Sequence, residues 1–522
     1  MSHRRRPHAP GPPPPPEDGG GDYSPQSPGK APRIRPWPER RVLALALAFR
    51  AVNALLVRTY FNPDEHWQCL EVAHHIAFGY GHLTWEWKRG LRGYLHPLIF
   101  AALYKFLGFL HLDTPWFMVM APRLLQSVFA AFGDLYLYKL SKLIFNEHAA
   151  QWTLFSQLVN WFMFFCITRT LSNSLETVLT VAGLYYWFIA IESSKGISVI
   201  SKQQASSYQS PHSRKVALLI AALACAIRPT SAITWLYVGL LDFIYIKSKC
   251  RFLFLEVIPI GAIVLAATTF LDWWMYGSRV IVPLNFLKFN LFSSGGDYYG
   301  THVFHWYFTQ GLIAWVLGVY SILGHKEFRF VLPVLPLALM FSGYFLAAMS
   351  QFKGKNLHGK RHFSRLQLSV ILLIITNVPM ALYMSLFHQR GTEDVMFYLS
   401  KEAHNGRVKG VLFLMPCHST PYYSTLHSSL PMRFLDCTPS DNKGTLDESD
   451  RFLMNPLDFV GEVIGNLSSF SHIVLFESEE RHIIQLLLHD SFQEVRRFFH
   501  SHFKIDRDLQ SSVVVYSRRD VL

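Results

Sequence analysis

The sequence predicts a mostly helical, polytopic membrane protein with about nine to eleven helical membrane segments and a small α/β domain at its C-terminus. Three observations carry this. Half of the 522 residues are apolar and only 16% are charged, where soluble domains carry about a quarter. Apolar runs, several near the ~20 residues that a membrane-crossing helix needs, recur between residues 42 and 387. The charge is also uneven: residues 391–522 hold 18 of the 36 acidic and 13 of the 49 basic residues, a net of −5, which leaves +18 on residues 1–390. A mean hydropathy of +0.18 excludes a disordered or collagen-like chain. Six cysteines make no disulfide framework. The basic residues flank apolar runs and build no separate basic module, so no nucleic-acid partner is expected.

Residues 1–40 hold 12 of the 28 prolines and are expected to be a disordered cytoplasmic tail. Arg33, Arg35, Arg40 and Arg41 precede the first apolar run, Val42–Val57, so that run should lead out of the cytosol. Residues 41–390 then carry the runs Leu95–Leu110, Phe117–Leu140, Trp152–Ile167, Leu175–Ile191, Val216–Ile227, Ser231–Ile246, Phe252–Trp274, Leu312–Leu323, Phe328–Met349 and Leu366–Phe387. The basic stretches Ser193–Lys215 and Lys353–Arg365 mark cytoplasmic loops and send residues 391–522 to the far side. There, Val411–Met415, Ile473–Phe476 and Val513–Tyr516 have β character, and Glu479–His489 has the pattern of a helix. Asn466-Leu467-Ser468 is an N-glycosylation sequon, usable in a secretory lumen. Cys417 and Cys437 can bridge in such a compartment or remain free.

Chemistry-bearing residues cluster at the ends of the runs. Asp64 and Glu65, in Asn62-Pro63-Asp64-Glu65-His66-Trp67, follow the first span; Pro63 suits a first helical turn. The pair is either helix-start decoration favoured by the helix dipole or a general base at the membrane edge. Arg169 lies between apolar runs, and Lys288, His302 and His305 lie on a polar island after Trp274. His325, Lys326 and Arg329 open another long run. Such charges are either snorkelling caps or ligands for an anionic group. His302 and His305 have no third metal ligand nearby, and no metal is expected. The sequence has no phosphate-binding loop, dinucleotide fingerprint or zinc-protease motif. An enzyme drawing an activated group from a lipid carrier needs none of these.

The stretches Phe61–Glu71, Thr168–Glu176, Ile227–Thr230, Asn285–Asn290, His305–Gly311 and His325–Phe330 together resemble glycosyltransferase family 22. Trp85–Lys88, Leu414–Ser424 and Pro431–Leu435 are similar to its branch that adds the third mannose of the glycosylphosphatidylinositol (GPI) core. The resemblance implies a GT-C fold and an endoplasmic reticulum membrane location. It implies an inverting α-1,2 transfer from dolichol phosphate mannose to a two-mannose GPI acceptor, with no cofactor. It assigns Asp64 as base, with Glu65 second, and offers Arg169, Lys288, His302, His305, His325, Lys326 and Arg329 as substrate ligands. The competing readings are a dolichol-linked N-glycan mannosyltransferase of the same family, or a lipid transporter or scaffold. One departure stands out: only 14 residues separate Gln310 from His325, where the family places two spans. Leu312–Leu323 as a helix rises about 18 Å, short of the ~30 Å hydrocarbon core.

Overall fold

The structure, a computed structural model, describes residues 36–194, 210–246, 248–292, 327–351, 364–439, 445–465, 467–503 and 510–519. The long helices are α1 (Glu39–Leu56), α2 (Glu71–Phe78), α3 (Leu95–Phe109), α4 (Pro115–Ile144), α5 (Glu147–Val159), α6 (Ser172–Ser194), α7 (Ser210–Ile227), α8 (Ala232–Tyr245), α9 (Ile258–Tyr276), α10 (Leu335–Gln351), α11 (Arg365–Leu386), α12 (Gly391–His404) and α13 (Glu477–His489). Local signals start several of them. Pro115 occupies the first turn of α4, Asn146 caps α5 by accepting from the Ala149 amide at 2.9 Å, and Ser364 with Gln367 forms a reciprocal capping box on α11.

Among the described residues, four helical stretches are long and apolar enough to cross a membrane: 115–144, 172–193, 249–276 and 365–404; 95–109, 229–244 and 335–351 are shorter apolar helices. The nine to eleven segments expected from the sequence are therefore not all matched by span-length helices. α1 is 18 residues long but carries Arg40, Arg41 and Arg50, and the run 312–323 lies outside the described residues. The exposed sides of α9 and α11 are apolar, with Ile263, Phe270, Leu372 and Ile375 outward, as lipid-facing helices require. α4 and α6 are more enclosed.

Arg50, inside the first apolar run, is fully buried and pairs with Asp134 of α4 at 2.7 Å. Asn53 and Gln157 complete that polar knot, so the charge is compensated rather than stranded. Gly343 of α10 lies so close to Thr153 of α5 that a Cβ would overlap the Thr153 backbone.

The C-terminal part contains a five-stranded sheet of β1 (Val411–Leu414), β2 (Met432–Phe434), β3 (His472–Phe476), β4 (Phe492–Phe499) and β5 (Ser512–Arg518) in the order β2-β1-β3-β5-β4. β2, β1 and β3 are parallel; β5 runs antiparallel to β3 and β4. The central strands are covered on both faces, which explains their unbroken apolar runs. Leu412, Leu414, Ile473 and Leu475 meet Ile483 and Leu487 of α13. Val411, Phe413, Val474 and Val513 meet Val395, Met396 and Leu399 of α12. Trp67, from the segment after α1, enters this second core.

Candidate active site

The chain leaves α1 and turns sharply at Asn62, whose backbone is extended and whose side chain accepts from the Asp64 amide at 3.0 Å. Pro63 starts a short helical turn, Pro63–Glu65, continued by a π-helical turn, His66–Leu70, into α2. The two adjacent carboxylates part company here.

Glu65 points inward and has no exposed surface. One oxygen accepts from Arg123 Nε at 3.3 Å, the other from Arg169 Nη1 at 2.8 Å. Arg123 also donates to the Val57 carbonyl at 2.8 Å and to Glu393 of α12 at 2.8 Å. Arg169 donates to the Phe165 carbonyl at 2.8 Å, and to the carbonyl and hydroxyl of Thr59 at 2.6 and 2.9 Å. His66 Nε2 stands 3.2 Å from Glu393. Burial pushes the Glu65 pKa up, but the Arg169 and Arg123 charges outweigh it and hold the carboxyl below its ordinary value.

Asp64 points the other way, and its side chain keeps 12% of its surface exposed. It accepts from Arg329 Nη1, which also donates to Asn62 Oδ1 at 2.7 Å. Arg329 Nη2 donates to Glu327 Oε1 at 2.6 Å, and Asn62 Nδ2 donates to Glu327 Oε2 at 3.0 Å. Asn62, Asp64, Glu327 and Arg329 thus close a polar ring across 265 residues of chain. Burial raises the Asp64 carboxyl above its ordinary value; Arg329 opposes this without cancelling it. Asn173 Nδ2 donates to the Arg329 carbonyl at 3.3 Å. Arg228 lies 3.4 Å from Glu176 and 4.9 Å over the Phe330 ring. Four of the stretches singled out in the sequence therefore converge on one place.

Of the predicted site residues, Asp64, Glu65, Arg169 and Arg329 come together, but in two layers: the partly exposed Asp64 with the buried Arg329 at the rim, and Glu65 with Arg169 sealed behind it. Lys288 is exposed on the turn Lys288–Phe292, next to Phe289, whose ring lies 5.8 Å from that of Trp85. His302, His305, His325, Lys326 and Asn466 lie outside the described residues. Sequence reasoning missed Arg123 and Glu393; His66 and Glu327 lie in stretches it singled out, without being assigned a role. Arg123 carried a usable signal, a charge inside the apolar run Phe117–Leu140. Cys417 and Cys437 form a disulfide, so their sulfurs do not act with His418 as metal ligands.

The family model of the Alg9-like mannosyltransferase family matches residues 41–315 and 311–427. The two matched segments overlap at 311–315, within the 14 residues between Gln310 and His325. The chain is similar to "Mannosyltransferase APTG1" of Arabidopsis thaliana, 60% identical over 516 residues, covering 91% of this chain and 92% of the relative. It is similar to "GPI alpha-1,2-mannosyltransferase 3" of Mus musculus, 38% identical over 512 residues, with 92% and 89% of the two chains covered. The Homo sapiens protein of the same name is 37% identical, with 92% and 87% covered. Among solved structures, ArnT from Cupriavidus metallidurans bound to undecaprenyl phosphate superposes with a TM-score of 0.52 at 10% identity, covering 92% of this chain and 98% of that one. At that identity the likeness concerns the fold alone.

Proposed function

The chain belongs to the Alg9-like mannosyltransferase family, and from that membership we propose that it adds the third, α-1,2-linked mannose to a two-mannose GPI intermediate at the endoplasmic reticulum membrane. It is a glycosyltransferase, and relatives named GPI alpha-1,2-mannosyltransferase 3 at 37–38% identity over about nine-tenths of the chain support this acceptor. In this reading the donor is dolichol phosphate mannose. The N-terminus is cytoplasmic, and the sheet-containing C-terminal part and the Asp64 rim face the lumen.

The chemistry is a single displacement with inversion. The β-linked mannosyl carbon loses its bond to the phosphate oxygen, and the electron pair leaves with dolichol phosphate. The acceptor hydroxyl oxygen forms the new bond on the opposite face, and its proton passes to Asp64. One observation carries this assignment: of the two adjacent carboxylates, Asp64 keeps some exposed surface, 12%, while Glu65 has none and both its oxygens are engaged by buried arginines. Its raised pKa suits a base, since a more basic carboxylate takes a proton more readily. Arg329 is positioned to turn from Asp64 toward the departing phosphate, retaining Glu327 as counter-ion. Lys326 and His325, in the same motif, are proposed as further phosphate ligands, with His302, His305 and Lys288 at the donor side. Arg169 acts through Glu65 and so supports the loop. No metal is required, because side-chain cations meet the leaving phosphate; transfer should persist in EDTA.

The test is transfer of labelled mannose by the purified full chain from dolichol phosphate mannose to a two-mannose GPI acceptor. Wild type should transfer, and Asp64→Asn should lose about 10²-fold or more. Transfer only to a dolichol-linked N-glycan precursor overturns the acceptor, and near-normal transfer by Asp64→Asn overturns the base.

A further inference from the structure

A pocket of about 220 Å³ lies between the segment His82–Lys88 and the β2 region of the C-terminal part. Trp67 links it to the site. Trp67, three residues after Asp64, packs 4.4 Å from His418, 5.0 Å from Tyr422 and 4.9 Å from Phe434, all of which line the pocket. Glu86, inside the first wall, accepts from Gln68 at 3.0 Å and from Arg92 at 2.7 Å, which ties that wall to the turn carrying Asp64. The disulfide joins Cys417, next to His418, to Cys437, next to Asp436, and so clamps the opposite wall.

The lining has a definite chemistry. Trp85 is mostly buried, with Arg89 5.5 Å over its ring and Phe289 5.8 Å away, and the part that lines the pocket is aromatic wall for the C–H face of a sugar. His82 and His418 are neutral hydrogen-bonding groups, because burial pushes both imidazoles down to about 4. Thr84 lines the pocket, and its buried hydroxyl has no hydrogen-bond partner among the described residues. Lys88 on one wall and Arg433 on the other supply two cations against one carboxylate, Asp436. Lys88 has no ion pair among the described residues, and Arg433 is held only at 3.6 Å by Glu448.

We propose that this pocket is an acceptor subsite that holds an inner sugar of the acceptor glycan together with a phosphodiester, while the terminal mannose meets Asp64. Aromatic, neutral-imidazole and hydroxyl groups suit the sugar, and the Lys88–Arg433 pair suits the phosphate. The inference rests on the glycan-transfer reading and adds where the acceptor lies and that its charge is recognised.

The experiment uses the full chain in lipid nanodiscs and two probes: the deacylated two-mannose GPI headgroup, and the same headgroup stripped of phosphate. Wild type should bind the phosphorylated form about tenfold more tightly. The double variant Lys88→Ala/Arg433→Ala alters exposed or half-exposed side chains, so it should fold. It should lose that preference and raise the acceptor KM about tenfold, with the KM for dolichol phosphate mannose unchanged. Trp85→Ala should weaken both probes. Equal binding of the two probes by wild type, or a double variant whose acceptor KM does not move, overturns the subsite. If wild type binds the phosphorylated headgroup by way of Lys88 and Arg433 yet transfers no mannose to the GPI acceptor, the subsite stands and the proposed activity falls.

Discussion

Substituting Asp64 and Glu65 separately should give opposite results, although the residues are neighbours. Glu65 is enclosed and, among the described residues, is the one carboxylate paired with Arg169, at 2.8 Å; Arg123 retains Glu393. Glu65→Ala therefore strands the Arg169 charge in a sealed site, and breaking such a buried pair costs about 3–5 kcal/mol. The Glu65 pKa is lowered in the folded state, so its contribution is present above the unfolded carboxyl value and is lost as pH falls through the folded one. Asp64 has the reverse sign. Its folded pKa is raised, so its ionised form is a burden at neutral pH that grows as pH rises through the folded value. Asp64→Asn removes that burden while Arg329 keeps Glu327 and Asn62, so stability should hold or rise. The assay is thermal unfolding of detergent-solubilised full chain, paired with mannose transfer normalised to folded protein. Glu65→Ala should melt several degrees lower and lose yield, whereas Asp64→Asn should melt at or above wild type and transfer about 10²–10⁴-fold more slowly. A well-folded Glu65→Ala with abolished transfer, beside an Asp64→Asn that melts well below wild type or transfers normally, would refute the assignment of the two carboxylates.

Other expectations can be checked with the same preparations. Transfer should fall on acidification with a midpoint above the ordinary aspartate value of about 3.9, because Asp64 must be ionised to accept a proton; a pH–rate profile reads this. Replacing Cys417 and Cys437 with serine opens a bridge of sequence separation 20, worth about 3 kcal/mol by loop entropy, and should raise protease sensitivity in the C-terminal part. Gly343→Val should lower the melting temperature by forcing α10 away from Thr153 of α5, while Gly261→Ala, which meets nothing within 4 Å, should not.

The polar groups inside the apolar helices trace how the accessible rim is held. Arg123 reaches from α4 to Glu393 at the start of α12 and to Glu65 behind Asp64. Trp67 anchors the same loop in the core beneath the sheet, donating to the Thr420 carbonyl at 2.8 Å. The loop bearing Asp64 is therefore gripped from the helical part and the sheet part at once, which supplies the rigidity that a positioned base requires.

Composition and run length sufficed to identify a helical membrane chain, because the cost of polar backbone and charge in hydrocarbon leaves few alternatives. Motif likeness brought out Asp64, Glu65, Arg169 and Arg329, since each stands at the end of an apolar run where a charge is conspicuous. The strands β2 and β4 went unread: Met432–Phe434 is three residues long, and Phe492–Phe499 carries the polar face of an edge. Nor did one dimension reveal which of two adjacent acids faces outward. That depends on partners 58, 104 and 265 residues away, whose guanidinium groups meet the carboxylates only once the helices have packed. Spacing along a chain reports local geometry, whereas the exposure and basicity of a carboxylate are set by whatever the rest of the fold brings beside it.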